Sequence, residues 1–173
     1  MPVDKLYLVL GGARSGKSRH AESLVEARPP PWRYIATAEP LDEEMRRRIA
    51  AHKARRGSGW HTVEAPLALA SAIDECAGGT PVLVDCLTLW LSNLMLNGHR
   101  VDEAVNGLLA ALGRRHGPTV LVSSEVGSGI VPENALARDF RDAAGSLHAE
   151  VAAHAEHVHF MVAGIPTIVK GTG

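Results

Sequence analysis

Short apolar runs alternate along the chain with longer stretches in which apolar residues recur every three or four positions. The short runs are rich in β-branched residues, which is typical of strands buried on both faces of a parallel sheet. They predict strands at Lys5–Leu10, Arg33–Ala36, Pro81–Asp85, Thr119–Ser123 and Val158–Ala163, with Thr167–Lys170 a candidate for a short edge strand. The periodic stretches predict helices over Lys17–Ala27, Asp42–Arg56, Pro66–Cys76, Leu87–Leu96, Asp102–Arg115 and, roughly, Asn134–Ala155. This alternation predicts a doubly wound α/β fold with a mainly parallel sheet and helices on both faces.

Composition narrows the class of protein. A chain of 173 residues with 46% hydrophobic and 21% charged residues suits a single globular domain over residues 1–173. The net charge is only −1, so no overall field would recruit nucleic acid or an anionic membrane. Cys76 and Cys86 form no metal-type pair, and the longest apolar run is too short to span a bilayer. We therefore expect a soluble, cytoplasmic protein without a membrane span.

The strongest chemical signal is a phosphate-loop pattern, G-x-x-x-x-G-K-S, between the first predicted strand and the first predicted helix. It consists of Gly11, Gly12, Ala13, Arg14, Ser15, Gly16, Lys17 and Ser18. Such a loop points successive backbone N–H groups at phosphate oxygens, and the helix adds its positive N-terminal end. Lys17 is predicted to neutralise the β- and γ-phosphates, and the Ser18 hydroxyl to ligate Mg²⁺. The alternative is a glycine-rich turn with an exposed lysine, which the flanking strand and helix disfavour.

A second acidic ligand is predicted for the same cation. Asp85 ends the buried run Pro81–Asp85, which is where a Walker B carboxylate stands. An aspartate at that point can also cap the helix that follows, and it can do both.

One predicted helix carries a histidine among arginines. Met45, Ile49 and His52 share a face, with Arg48 one turn before His52 and with Arg55 and Arg56 one turn after it. An imidazole can act as a nucleophile, and the guanidinium groups could hold the phosphate that it attacks. On spacing alone, however, an ordinary half-exposed histidine near a helix end is the favoured interpretation.

Several segments in order resemble one family. They are Gly11–Glu22, Tyr34–Glu39, Asp42–Arg56, Trp60–Glu64, Val82–Leu94, Glu125–Gly145 and Val162–Gly171. Together they cover nearly the whole chain, which resembles the bifunctional adenosylcobinamide kinase / adenosylcobinamide-phosphate guanylyltransferase family of cobalamin biosynthesis. The phosphate loop combined with Glu-Val-Gly-Ser-Gly-Ile-Val-Pro is far more specific than a Walker motif alone.

The resemblance implies a RecA-like P-loop fold, a homotrimer and two reactions. ATP or GTP would phosphorylate adenosylcobinamide, and GMP from GTP would then pass to adenosylcobinamide phosphate to give adenosylcobinamide-GDP. It places the guanylyl-carrying nucleophile on His52. It places further nucleotide contacts on Lys53, Ala54, Arg55, Arg56, Ala36, Thr37, Ala38, Glu64 and Asp85. The chain departs from the family at Ser124 and His148, where asparagines are usual.

Two other functions share some of these features. A monofunctional P-loop small-molecule kinase would use the same loop but would leave the arrangement of arginines around His52 unexplained. A RecA-like nucleic-acid-binding ATPase module would be expected to have a basic patch interleaved with aromatic residues, which this sequence lacks.

Overall fold

A computed structural model describes residues 6–172 and contains one seven-stranded sheet in the order β3-β2-β4-β5-β1-β6-β7. The strands are β1 Leu6–Gly11, β2 Trp32–Ala36, β3 Trp60–Glu64, β4 Val82–Asp85, β5 Thr119–Ser124, β6 His157–Val162 and β7 Ile165–Lys170. The helices are α1 Lys17–Glu26, α2 Glu43–Arg55, α3 Leu69–Asp74, α4 Leu87–Leu96, α5 Val101–Arg114 and α6 Ala135–His154. Lys5, the first residue of the first predicted strand, lies outside the described residues.

All neighbouring strands pair in parallel except β7, which runs antiparallel to β6. Strand β1 lies between β5 and β6, and β4 lies between β2 and β5. The carboxyl ends of β1, β4 and β5 therefore meet along one edge of the sheet. In open α/β sheets this is the edge at which ligands bind.

Side chains on successive strand residues point to opposite faces, so each face of the sheet has its own core. Leu8 packs into the larger core with residues of α3, α4, α5 and α6, including Trp90 and Leu147. Its neighbour Val9 packs into the smaller core with Ala21 and Val25 of α1. Helices thus cover both faces, and the predicted doubly wound, mainly parallel α/β fold is confirmed.

Edge elements depart most from the sequence-based expectation. Strand β3 was not among the predicted strands, because its residues His61, Thr62 and Glu64 are exposed and form no apolar run. Strand β7 begins at Ile165, two residues before the predicted edge strand, and every residue in it is exposed. Helix α3 is shorter than predicted at both ends. Among the helices of residues 6–172, none is long and apolar enough to cross a membrane.

Candidate active site

The phosphate loop follows β1 directly and depends on two glycines with positive φ angles. Gly11 has a φ of 155°, and a Cβ atom there would lie 2.6 Å from Ser15 Oγ and 2.8 Å from the carbonyl oxygen of Met161. Gly16 precedes α1 with a φ of 90°, in the left-handed region that glycine adopts without strain. The loop can therefore close tightly onto the end of β1 and direct the N-terminus of α1 into the cleft.

Lys17 is the first residue of α1, and its ammonium group donates a hydrogen bond to the carbonyl of Gly12 in the same loop. Burial lowers the pKa of Lys17, and the neighbouring Cys86 and Asp85 side chains oppose that change. A partly desolvated cation interacts strongly with any anion that enters the cleft, because less water screens it.

Asp85 and Ser18 line the same cleft, one at the carboxyl end of β4 and the other in the first turn of α1. The Tyr34 hydroxyl donates a 3.0 Å hydrogen bond to Asp85 Oδ2. Burial and the charge of Asp85 raise the pKa of Tyr34, which keeps its hydroxyl protonated as a donor. The hydrogen bond from Tyr34 uses only one of the two Asp85 carboxylate oxygens. Hard cations such as Mg²⁺ prefer oxygen ligands of the kind that Asp85 and Ser18 provide. The residues present therefore fit the predicted cation.

The cleft itself has a volume of about 610 Å³, and the phosphate loop and α2 form two of its sides. One wall is the phosphate loop, including Lys17. The facing side is helix α2, which presents Met45, Arg48, Ile49 and His52 to the cleft. The predicted phosphate-binding lysine and the predicted nucleophile thus face one space, although 35 residues separate them in the sequence.

Helix α2 has no buried residue, so the contacts at its carboxyl-terminal end are polar. Arg55 Nη2 lies 2.9 Å from both carboxylate oxygens of Glu22 on α1. The guanidinium of Arg56 lies 3.5 Å from the centre of the Tyr34 ring. Arg56 Nη1 is buried without a hydrogen-bond partner among the described residues, and Arg56 lines the cleft. These contacts tie the end of α2 and the residue after it to α1 and β2.

The other predicted nucleotide contacts fall into two groups. Those lining the cleft are Arg14, Ser15, Gly16, Ala36, Ala38, Lys53, Arg55 and Arg56, while Gly11, Gly12 and Ala13 precede Arg14 in the same loop. Three lie elsewhere. Thr37 is fully buried, and its hydroxyl bonds to both the N–H and the carbonyl of Cys86, joining the end of β2 to the end of β4. Glu64 pairs with Lys53 at 3.3 Å in solvent, and Ala54 is exposed.

The structure also adds residues that sequence reasoning did not assign to the cleft. Tyr34 reaches it because β2 lies next to β4, and Thr88 reaches it from the first turn of α4. Thr88 follows Asp85 by three residues, so its position after the predicted Walker B strand was the available signal. His20, by contrast, pairs with His159 of β6 at 2.9 Å and is not part of the cleft wall.

Fold and site together define a RecA-like P-loop nucleotide-binding protein. An ATPase from the type III secretion system of pathogenic bacteria shares this fold with a TM-score of 0.57 at 11% sequence identity, over 92% of this chain and 51% of that one. Within this class the chain belongs to the cobinamide kinase / cobinamide phosphate guanyltransferase family, whose sequence pattern matches residues 7–169. The family suggested by the sequence motifs is thereby confirmed.

Two curated relatives match nearly end to end. The bifunctional adenosylcobalamin biosynthesis protein CobP of Pseudomonas aeruginosa is 50% identical over 167 residues, covering 95% of this chain and 96% of that protein. The bifunctional adenosylcobalamin biosynthesis protein CobU of Salmonella typhimurium is 41% identical over 181 residues, covering 95% and 99%. The match therefore spans the phosphate loop, α2 and the segment after β5 alike.

Proposed function

We propose that this enzyme catalyses two successive reactions in one nucleotide cleft. ATP or GTP first phosphorylates the aminopropanol hydroxyl of adenosylcobinamide, and GMP from GTP is then joined to the new phosphate to give adenosylcobinamide-GDP. The observation that carries the proposal is the cleft shared by Lys17 and His52. A kinase needs the first of these side chains but has no use for the second.

The kinase reaction uses the phosphate-loop side of the cleft. Lys17 offsets charge on the β- and γ-phosphates as the γ-phosphoryl group moves to the substrate hydroxyl. Ser18 and Asp85 would hold Mg²⁺, which neutralises charge on the phosphate oxygens. The backbone N–H groups between Gly11 and Lys17 orient the triphosphate without any covalent step.

The guanylyl transfer uses α2. A His52 imidazole nitrogen attacks the α-phosphorus of GTP, an N–P bond forms, the bond from the α-phosphorus to the bridging oxygen breaks, and pyrophosphate leaves. A phosphate oxygen of adenosylcobinamide phosphate then attacks the same phosphorus and releases His52. Arg48 and Arg56 line the same space and can donate charge-assisted hydrogen bonds to the phosphate in transit.

We infer from the family that the enzyme works in the cytoplasm as a homotrimer. Light scattering on the purified protein tests the assembly, since the chain mass is 18.4 kDa. A mass equal to one chain would contradict it.

Label transfer tests both reactions. With adenosylcobinamide, γ-labelled ATP or GTP should yield a labelled corrinoid phosphate. With adenosylcobinamide phosphate, α-labelled GTP should yield labelled adenosylcobinamide-GDP. Transfer of the γ-label without transfer of the α-label would favour the monofunctional kinase. Nucleotide hydrolysis with no labelled corrinoid would reject the proposal.

A further inference from the structure

A chain of three hydrogen-bonding side chains leads from the cleft wall into the core. Thr88, in the first turn of α4, lines the cleft, and its Oγ1 lies 2.9 Å from Ser123 Oγ at the end of β5. Ser123 is fully buried, and its Oγ lies 2.7 Å from His148 Nε2 on α6. Three separate elements thus place two hydroxyls and one imidazole in a continuous line.

Counting donors and acceptors shows what this line can do. The backbone N–H of Ser124 donates to Thr88 Oγ1 at 2.6 Å, which uses one acceptor position of that oxygen. If His148 Nε2 accepts from Ser123, then Ser123 accepts from Thr88, and every hydroxyl hydrogen on the line points inward. Thr88 Oγ1 then keeps one further acceptor position, which the neighbouring Cys86 thiol can use only as a weak donor. Since Thr88 lines the cleft, that position is available to a donor bound there.

The environment of His148 favours hydrogen bonds that are donated from Thr88 to Ser123 and from Ser123 to His148. Burial lowers the pKa of His148, while the negative charge of Glu125 opposes that change. The imidazole is therefore neutral at neutral pH and free to accept a proton. Burial acts to raise the pKa of Glu125, but hydrogen bonds from Ser128 and Gly127 hold it below its usual value. A carboxylate near the imidazole would stabilise the imidazolium once it forms.

We propose that Thr88, Ser123 and His148 form a proton relay for the kinase step, an inference that rests on the function proposed above. The substrate hydroxyl oxygen forms a bond to the γ-phosphorus as the bond to the bridging oxygen breaks and the nucleoside diphosphate leaves. The hydroxyl proton passes to Thr88 Oγ1, the Thr88 proton to Ser123, and the Ser123 proton to His148 Nε2. Thr88 meets the substrate directly, whereas Ser123 and His148 are positioning residues behind it.

The relay is confined to γ-transfer. Guanylyl transfer attacks with an imidazole and a phosphate, neither of which needs to lose a hydroxyl proton. The two activities of one enzyme therefore separate a relay from a general structural role, because damage to the cleft would lower both.

The test combines His148→Gln with Thr88→Val and Thr88→Ser in the full-length protein. Glutamine can still hydrogen-bond Ser123 but cannot take up a proton. We expect His148→Gln to lower the kinase kcat about a hundredfold, with little change in the KM for adenosylcobinamide. The wild-type kcat should fall as pH drops through the pKa of His148, and this acid limb should be absent in the variant. Thr88→Val should show the same loss and Thr88→Ser should retain activity. Protein labelling by α-labelled GTP should stay normal in His148→Gln, because His148 does not line the cleft.

His154→Gln is the matched control, since His154 is exposed on the same helix and its ring forms a hydrogen bond with the Glu150 carbonyl. It should leave both activities unchanged. A His148→Gln enzyme with wild-type kcat and an intact acid limb would overturn the relay. So would full kinase activity in Thr88→Val, or equal loss of kinase activity and of α-labelling in His148→Gln. A wild-type enzyme that takes α-label but never phosphorylates adenosylcobinamide would instead reject the kinase half of the proposed function, and the relay with it.

Discussion

Replacing Glu22 with glutamine should lower guanylyl transfer more than the kinase reaction, although Glu22 itself does not line the cleft. Glu22 lies on α1 and accepts hydrogen bonds from Arg55 at the end of α2. Because α2 buries no residue, this ion pair is a principal contact between the helix that carries His52 and the phosphate-loop helix. Glutamine keeps the shape of the side chain and removes its charge.

The exposure of the two partners sets the size of the effect. The Glu22 side chain is 9% exposed and the Arg55 side chain is 48% exposed. A hydrogen-bonded charge pair of this kind, discounted for the solvent around Arg55, contributes about 1–2 kcal/mol. Without that energy, α2 would be held less firmly against α1, and His52 would be in place less often. The rate of GMP attachment to the protein should then fall by about fivefold to thirtyfold. The kinase rate should change by less than about twofold, because the groups assigned to γ-transfer, Lys17, Ser18 and Asp85, lie outside α2.

The assay is the single-turnover rate of protein labelling by α-labelled GTP, measured beside the steady-state kinase rate. Glu43→Gln is the matched control, because Glu43 pairs with Arg47 on the same helix with both side chains largely exposed. It should leave both rates nearly unchanged. If the Glu22→Gln protein took up α-label at the wild-type rate, or lost both activities equally, the view that this ion pair holds α2 against α1 would be refuted.

Three further predictions concern the phosphate loop, the cation and the pair formed by His20 and His159. Lys17→Ala should lower both activities by about a hundredfold to a thousandfold with little change in the free energy of unfolding, and near-normal turnover in either reaction would argue against a shared site. Asp85→Asn should weaken GTP binding more with Mg²⁺ than without it in calorimetric titrations, whereas equal weakening would indicate a structural role. Burial lowers the pKa of His20 and the pKa of His159. The neighbouring His20 and His157 lower the pKa of His159 further. As the pH is lowered, these histidines therefore take up protons in the unfolded chain before they do so in the folded protein. Urea titrations should show that the free energy of unfolding falls as the pH goes from about 7.5 to about 5.5. The fall should be smaller in His159→Gln, and greater stability at the lower pH would contradict the reasoning.

The elements with strong periodicity could be predicted from sequence, and those at the sheet edges could not. The buried strands β4 and β5 contain runs of valine and leucine that only a two-sided core explains. Strand β3 is held by its pairing with β2 and by the buried side chain of Trp60, which packs against Trp32 and Tyr34. No local pattern in its five residues carries that information.

For the site, sequence motifs led to predicted roles for particular residues, and the structure places Lys17, His52 and Asp85 at one cleft, but the motifs did not reveal the long-range partners. Arg55 was expected to hold nucleotide phosphate, yet its guanidinium contacts Glu22, which lies 33 residues away in the chain. Thr37 was expected at the nucleotide, yet its hydroxyl is engaged by the backbone of Cys86. Their roles as nucleotide contacts stay predictions. The partners of Ser123 and His148 likewise depend on how α6 packs against the sheet, which spacing does not reveal.

The most direct test of the account is whether the protein itself carries GMP on His52. After incubation with GTP labelled at the α-phosphate, the denatured protein should retain label that survives base and is released by acid, as expected for a phosphorus–nitrogen bond. GTP labelled at the γ-phosphate should leave none, because pyrophosphate departs with the two outer phosphates. His52→Asn should abolish both the adduct and the guanylyltransferase reaction while keeping kinase activity. Retained α-label in His52→Asn, or no label on the wild-type protein during turnover, would contradict the proposed mechanism.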